Sequence, residues 1–383
     1  MENIAGRKAG LTWAVHIAVA ALVLLWMIPT VGLFVSSFRD RDQIAQSGWW
    51  IAPLPVEMTF RTRIAADGQR ADGDGHVIET SVFADASLAR WFPQGTGRVT
   101  RFGTRGAAPT EHEAGAEAGL RGGGTVTIAA DGTARLRAPE PLARPVTLYF
   151  EARIPPRITT ANYGTVLRAD GMGRAFLNTL TVAIPATVIP IAIAAFAAYA
   201  LAWMEFPGRA LLIACVVGLL VVPLQLALIP LLRLHLGIGI GKGYLGVWLA
   251  HTGFGLPLAI YLLRNYMVGL PRDIIENAKV DGATDFQIFT KIILPLSFPA
   301  LASFAIFQFL WTWNDLLVAK VFLIDATGQT TVMTNQIVEL LGTRGGNWEI
   351  LATAAFVSIA VPLVVFFAMQ KYLVRGLLAG SVK

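Results

Sequence analysis

Apolar positions fall into two regimes along this chain. Six long runs are nearly free of charge, at residues 14–34, 177–203, 211–232, 245–263, 296–322 and 350–369. A helix crossing the hydrocarbon of a bilayer needs about 20 such residues, because each adds roughly 1.5 Å of rise and every backbone polar group must be satisfied inside the helix. Each run therefore predicts one transmembrane helix. The first follows Arg7 and Lys8 as a secretory signal would, but its 21 residues exceed a normal apolar core and no small-residue cleavage site follows, so it reads as an uncleaved anchor.

The second regime lies between the first two runs, at residues 39–173, where apolar and polar positions alternate. VEMTFRTRI, HVIETSVF, GRVTRFG, GTVTIAA, ARLRA and PVTLYFEARI are rich in β-formers and separated by Gly, Asp and Pro. They predict a small antiparallel sheet or sandwich. Residues 105–124, rich in Gly, Ala and Glu, read as a mobile loop outside the core. Trp49, Trp50, Trp91 and Phe92 read as interfacial or core residues, Trp49 and Trp50 lying near a membrane boundary, although aromatic rings also stack on sugars. IPPRITTANYGTVLR, at 154–168, predicts a turn and a short amphipathic stretch on the outer membrane surface.

Between the fourth and fifth runs, residues 264–295 are too polar for lipid and too ordered for a linker. Pro271 can open a helix, Ile274, Ile275 and Ala278 make an apolar stripe, and Gly282 can end it with a positive φ. Thr284 and Gln287 have capping-box spacing, followed by Phe286, Phe289, Ile292 and Ile293. The prediction is helix, sharp turn, helix. With Glu276, Asp281 and Asp285 beside apolar surface, this pattern suits a docking surface for a partner or equally a hairpin resting on the bilayer.

Composition agrees with the membrane class: 55% of the 383 residues are hydrophobic, 15% are charged, and the mean hydropathy is +0.58. Charge adds the orientation. Starting inside puts ten cations on the cytoplasmic side (Arg7, Lys8, Arg209, Arg264, Arg272, Lys279, Lys291, Lys371, Arg375, Lys383), against Arg233, Lys242 and Arg344 in the short outer loops. Both termini are thus expected in the cytoplasm and the 39–173 insert outside. The net charge of +6 needs no nucleic acid to explain it. Cys215, the lone cysteine, excludes an internal disulfide.

The polar loop also carries a resemblance. Glu276, Ala278, Gly282, Ile292, Leu294 and Pro295 match the cytoplasmic signature of the sugar-importing family of ABC transporter permeases, E-A-A, three residues, Gly, nine residues, I-x-L-P, with Asn277 in place of the middle alanine. FLNTLTVAIPA, FLWTWNDLLVA and the terminal GLLAGSVK extend the similarity over about residues 159–383. The chain is most similar to maltose-type importer permeases, and its β-rich insert resembles that of the α-glucoside importers.

The resemblance implies an all-α polytopic membrane protein with the type I ABC importer permease fold. Six transmembrane helices would carry a β-rich periplasmic insert, in the order anchor (1–38), insert (39–173) and permease core (174–383). It implies a site in the bacterial inner membrane and a heterodimer with a second permease subunit. A separate ATPase homodimer would bind ATP and magnesium, a periplasmic solute-binding protein would deliver the sugar, and this chain would bind no cofactor. It assigns the ATPase-coupling role to Glu276, Asn277, Ala278, Asp281, Gly282, Ile292, Leu294 and Pro295, and a tail reaching the ATPase to Gly376, Gly380 and Lys383.

Within the spans, Asp315 is costly in hydrocarbon, about 2.5–3.5 kcal/mol, and should face protein or water. With Trp311, Trp313 and Asn314 it makes either a sugar-contacting cluster or a packed, hydrogen-bonded helix end. Gln225, His251 and Gln308 are pathway candidates or interhelical hydrogen-bonding residues. His251 alone is no metal site. GIGIGKGY lacks the first Gly and the Ser/Thr of a phosphate-binding loop, and no hydrolase motif occurs, so the chain reads as non-catalytic. A secondary transporter or a membrane-anchored receptor shares this topology.

Overall fold

A computed structural model describes residues 10–73, 75–323, 327–340 and 346–378. Two compact units divide the chain, Met1–Thr159 and Thr160–Lys383.

The first unit opens with helix α1 (Gly10–Ser37), apolar on every side and exposed along its length, as expected of a helix whose solvent is lipid. Gly32 lets it approach Trp49, since a Cβ there would come within 2.6 Å of the indole nitrogen. After the short helix α2 (Arg41–Gln46) come strands β1 (Val56–Ile64), β2 (Arg70–Asp72), β3 (Gly75–Ser81), β4 (Val99–Gly103), β5 (His112–Glu113), β6 (Glu117–Gly119), β7 (Thr125–Ile128), β8 (Thr133–Ala138) and β9 (Val146–Ile154). They form two antiparallel sheets, ordered β1-β9-β4-β5 and β2-β3-β8-β7-β6.

Alternation explains the pairing. In β1, Met58, Phe60, Thr62 and Ile64 point inward while Glu57, Thr59, Arg61 and Arg63 point out. Both sheets contribute to one core, in which Phe60, Phe83, Phe92 and Phe150 pack with ring centroids 4.4–6.3 Å apart. The predicted strands therefore appear as a sandwich. Residues 105–124 differ from expectation: β5 and β6 lie there, and Ala118 is buried. Edge strands are held by backbone pairing to β4 and β7, which small side chains do not announce. At the neck, Thr159 N donates to Phe38 O, and Gln43 donates to Pro155 O while accepting from Arg157 N, so the two chain crossings are tied together.

The second unit starts with α3 (Ala161–Leu167), which packs on α14 (Trp348–Leu378), so the stretch expected to close the insert belongs with the helical unit. Between them run α4 (Met172–Trp203), α5 (Arg209–Leu219), α6 (Leu224–Gly237), α7 (Tyr244–Val268), α8 (Arg272–Val280), α9 (Asp285–Ile288), α10 (Leu294–Leu296), α11 (Phe298–Trp313), α12 (Leu317–Phe322) and α13 (Met333–Leu340). Buried Ala194, Ala195 and Ala198 of α4 share one core with Ala259 of α7, small residues that let backbones approach closely.

Among the described residues, four helices are long and apolar enough to cross a membrane, or up to six if each of two bent pairs is one span. Two expected continuous spans are interrupted. Run 211–232 breaks between α5 and α6 with a 109° bend; Pro223 lacks an N–H and disfavours helical geometry at Val222. Run 296–322 breaks at residues 314–316 between α11 and α12. At its other end, the helical stretch Asp285–Leu296 meets α11 at 68°.

Candidate functional site

The polar loop folds as its sequence directs. α8 begins after Pro271, carries Asp273 in its first turn and Lys279 in its last, and so complements the helix dipole. Gly282 ends it at φ +79°, with Gly282 N donating to Lys279 O and Ala283 N to Ala278 O. The capping box forms: Thr284 N donates to Gln287 Oε1 at 2.9 Å, and Gln287 N to Thr284 Oγ1 at 3.3 Å. α9 then widens into a π turn at Phe289–Ile293, just before Pro295, whose ring crowds the carbonyl four residues earlier.

Most of the apolar stripe faces protein, while Ile274 is exposed. Ile275, Ala278, Ile288, Phe289 and Ile293 are buried against Ala198 and Tyr199 of α4, Leu263 and Met267 of α7, and Phe304 of α11. Tyr199 donates its hydroxyl to Asp285 Oδ1 at 3.4 Å, and Lys279 Nζ lies 3.7 Å from the same oxygen. Nothing in the sequence pattern pairs Tyr199 with Asp285, because they sit on different helices. Of the coupling residues, Glu276, Asn277, Asp281, Gly282 and Pro295 are exposed, Ala278 is buried, and Ile292 and Leu294 are partly buried. Val280 and Phe286 stand out at 87% and 66% exposure, adding apolar surface between the acids. Gly376 lies in the backbone of α14, while Gly380 and Lys383 fall outside the described residues.

The residues singled out inside the spans separate into two groups. Gln308 and Trp313 are buried, and prolines explain their hydrogen bonds. A proline removes the N–H that would bond the carbonyl four residues earlier, so that carbonyl needs a donor from elsewhere. Pro190 releases Ala186 O, which accepts from Gln308 Nε2 at 3.1 Å. Pro362 releases Ser358 O, which accepts from Trp313 Nε1 at 3.0 Å. Pro185 releases Thr181 O, filled by Trp248 Nε1 at 2.9 Å, a residue the sequence pattern did not single out.

His251 Nε2 lies 3.7 Å from Asp315 Oδ2, both side chains under 10% exposed. The Asp315 carboxylate caps α12 by accepting from Val318 N and Ala319 N, and Asn314 donates back to Leu310 O. The Asp315 carboxylate is thus hydrogen-bonded at the start of α12, with Asn314 exposed beside it. Another polar junction went unnoticed in the sequence: Asn178 donates to Gln329 O and Thr331 O and accepts from Tyr244, each at 2.8 Å.

The second group is exposed. Gln225 and Trp311 come together in a cleft of about 390 Å³, lined also by Leu219, Leu220, Gly253, Phe254 and Pro257.

Residues 176–378 match the model of the binding-protein-dependent transport system inner membrane component. The chain belongs to that family. Over 384 residues it is 57% identical to the alpha-glucoside transport system permease protein AglG of Rhizobium meliloti, covering 98% of each chain. It is 44% identical over 369 residues to the osmoprotective compounds uptake permease protein GgtD of Synechocystis, covering 96% of this chain and 91% of that one. Similarity to the trehalose transport system permease protein SugB of Mycobacterium tuberculosis is 35% over 235 residues, 60% of this chain and 84% of that protein. The protein is therefore the non-catalytic membrane permease of an ABC importer, working with a separate ATPase and a solute-binding protein. Matches to AglG and GgtD run through the β sandwich of this permease as well as its helical unit.

Proposed function

We propose that this permease pairs with a second, different permease subunit and admits α-glucosides such as maltose, trehalose or sucrose to the cytoplasm. Six spans would place both termini inside and the β sandwich in the periplasm, in line with the ten-to-three cation asymmetry. A separate ATPase homodimer would hold ATP and magnesium.

The observation that carries the coupling role is the two-faced loop. Its apolar stripe is fixed beneath α4 and α7, and its free face offers Glu276, Asn277, Asp281, Val280 and Phe286 to a partner. A rigid footing transmits displacement, and an apolar centre with charged edges suits a protein dock. Ile292, Leu294 and Pro295 form the joint to α11, and the 376–383 tail is a further ATPase contact. For the cargo, support comes from the 57% identity to a protein named for alpha-glucoside transport, sustained through the insert.

The test reconstitutes the permease with its neighbouring permease, ATPase and binding protein in vesicles. We expect ATP-dependent α-glucoside uptake, and with Glu276→Ala a loss of about tenfold, the effect of removing one charge-assisted contact. Sugar accumulation without the ATPase would sink the reading; normal coupling in the variant would remove only the role of Glu276.

A further inference from the structure

The β sandwich holds a cavity of about 740 Å³ whose walls come from three loops. They are residues 104–106 after β4, the β6–β7 turn at 120–123, and the β8–β9 connection at 139–144. Each loop is fixed through its backbone. Ala108 N donates to Arg105 O, Leu120 N donates to Gly124 O, and Gly123 N donates to Leu120 O. Leu142 is held from both sides by the Gln69 side chain, which accepts from its N–H and donates to its carbonyl. Gly124 closes the turn at φ +93°, where a Cβ would lie 2.2 Å from Arg137 O, and a Cβ on Gly106 would come within 3.0 Å of the Tyr149 hydroxyl. Leu120, Leu142 and Val146 pack against the sandwich core and give the cavity an apolar floor.

Its side chains are of one sign. Each loop contributes one exposed arginine, Arg105, Arg121 and Arg144, and against Glu140 in the same wall they leave a net charge of +2. Several other arginines of the sandwich meet acids: Arg90 meets Asp40 and Asp42, Arg101 meets Glu113, and Arg135 and Arg137 meet Asp72. Among the described residues, no carboxylate pairs with any of the three in the cavity, and the Tyr149 hydroxyl bonds to no described group. Like charges held together on fixed loops repel one another, a cost that a bound anion removes. The cations of residues 39–173 are all arginine, with no lysine. A planar guanidinium grips two oxygens of a phosphate at once, which an ammonium does not. A charge of +2 matches the roughly −1.5 to −2 of a phosphomonoester near neutral pH. The volume lies within the range of about 300–1,000 Å³ usual for small-molecule sites, and the apolar floor adds room for a body beyond the phosphate.

We propose that this cavity binds a phosphomonoester carried on a larger body, with Arg105, Arg121 and Arg144 holding the phosphoryl oxygens, the Tyr149 hydroxyl donating beside them, and Leu120, Leu142 and Val146 supporting the body. A sugar phosphate in solution and a phosphomonoester lipid headgroup share this chemistry. The site stands apart from the cargo reading, because α-glucosides carry no charge. A ligand here bridges three loops and stabilises the sandwich by mass action.

The test is equilibrium dialysis of the full-length permease in detergent against radiolabelled glucose 6-phosphate, without the ATPase, whose nucleotide site would itself take phosphate. Saturable binding at one site per chain is expected, weakened about tenfold by either Arg121→Ala or Arg144→Ala, the scale of one charge-assisted contact. Arg121→Lys, which keeps the charge and loses the fork, should fall between. All three arginines are exposed, so the variants keep the fold. Arg135→Ala, outside the cavity, should bind as the unsubstituted protein does, glucose should not compete, and added salt should weaken binding. Short-chain phosphatidic acid distinguishes the sources: displacement more effective than by glucose 6-phosphate itself supports a lipid headgroup, and less effective displacement supports the soluble ester. No saturable binding of either probe up to about 10 mM overturns the proposal, as does equal affinity in the triple variant Arg105→Ala, Arg121→Ala, Arg144→Ala. If neither probe binds while the triple variant loses ATPase stimulation by the loaded binding protein in the assembled transporter, the proposal falls and the face belongs to that protein.

Discussion

Trp311 and Trp313 lie two positions apart on α11, about 200° around the helix, and so cannot share a face. Trp313 is fully buried, packed against Phe309 and Phe176 at centroid distances of 5.5 and 5.9 Å. Its N–H answers a deficit made by Pro362, which gives a prediction with an internal control. Trp313→Phe leaves Ser358 O unpaired and should cost about 1–3 kcal/mol in thermal or denaturant unfolding of the detergent-solubilised protein. In a Pro362→Ala background, helix α14 supplies its own donor, and the same substitution should cost roughly 1 kcal/mol less. Equal costs in the two backgrounds would reject the account. The sequence offered Trp311, Trp313, Asn314 and Asp315 as one cluster; helical period alone separates the two tryptophans. Which of them meets a neighbouring helix is a matter of packing.

At the scale of elements, the loop from α8 to α10 was readable because its signals are local. Pro271, Gly282 and the Thr284–Gln287 box each act over four residues or fewer. Gly282→Ala should therefore weaken the turn by about 1–2 kcal/mol, since the left-handed backbone strains any Cβ even where none of its neighbours lies within 4 Å. Gly282→Asn, whose side chain tolerates that conformation, should be milder. The measurement is protease susceptibility of the loop in vesicles, and equal susceptibility of all three proteins would show that the turn bears no strain. The choice between bilayer and protein for the stripe was not readable, because lipid and packed helices are equally apolar. The broken third span carried its signal in Pro223, masked by the uniform hydrophobicity around it.

For the whole molecule, orientation is the open quantity that a direct experiment reaches. With Cys215 replaced, a thiol at Val280 should react only with a reagent on the cytoplasmic side, and one at Asp131, exposed on the sandwich, only from the opposite side. Reversed labelling would invert the topology and remove the loop from the ATPase. Two-residue alternation made the sandwich foreseeable, since one face of each sheet must be apolar to form a shared core. Its edge strands β5 and β6 were not, because they bury little and are held by backbone pairing to β4 and β7, which their small and polar side chains do not announce.

By itself, the sequence determined what depends on composition and short spacing: a membrane protein of apolar helices, a β-rich insert after the first, and a capped helix-turn-helix bearing a family signature. Hydrocarbon admits only helices here, and caps and turns are settled by neighbours along the chain. Tertiary structure alone decided the partners of each polar group. Released carbonyls at Ala186, Ser358 and Thr181 are met by side chains 122, 45 and 67 residues away. Only their packing turned Gln308 and Trp313 into structural donors and left Gln225 and Trp311 facing an open cleft. A buried polar group must find whichever donor the fold brings near, and that proximity is set by helix packing rather than by any local pattern.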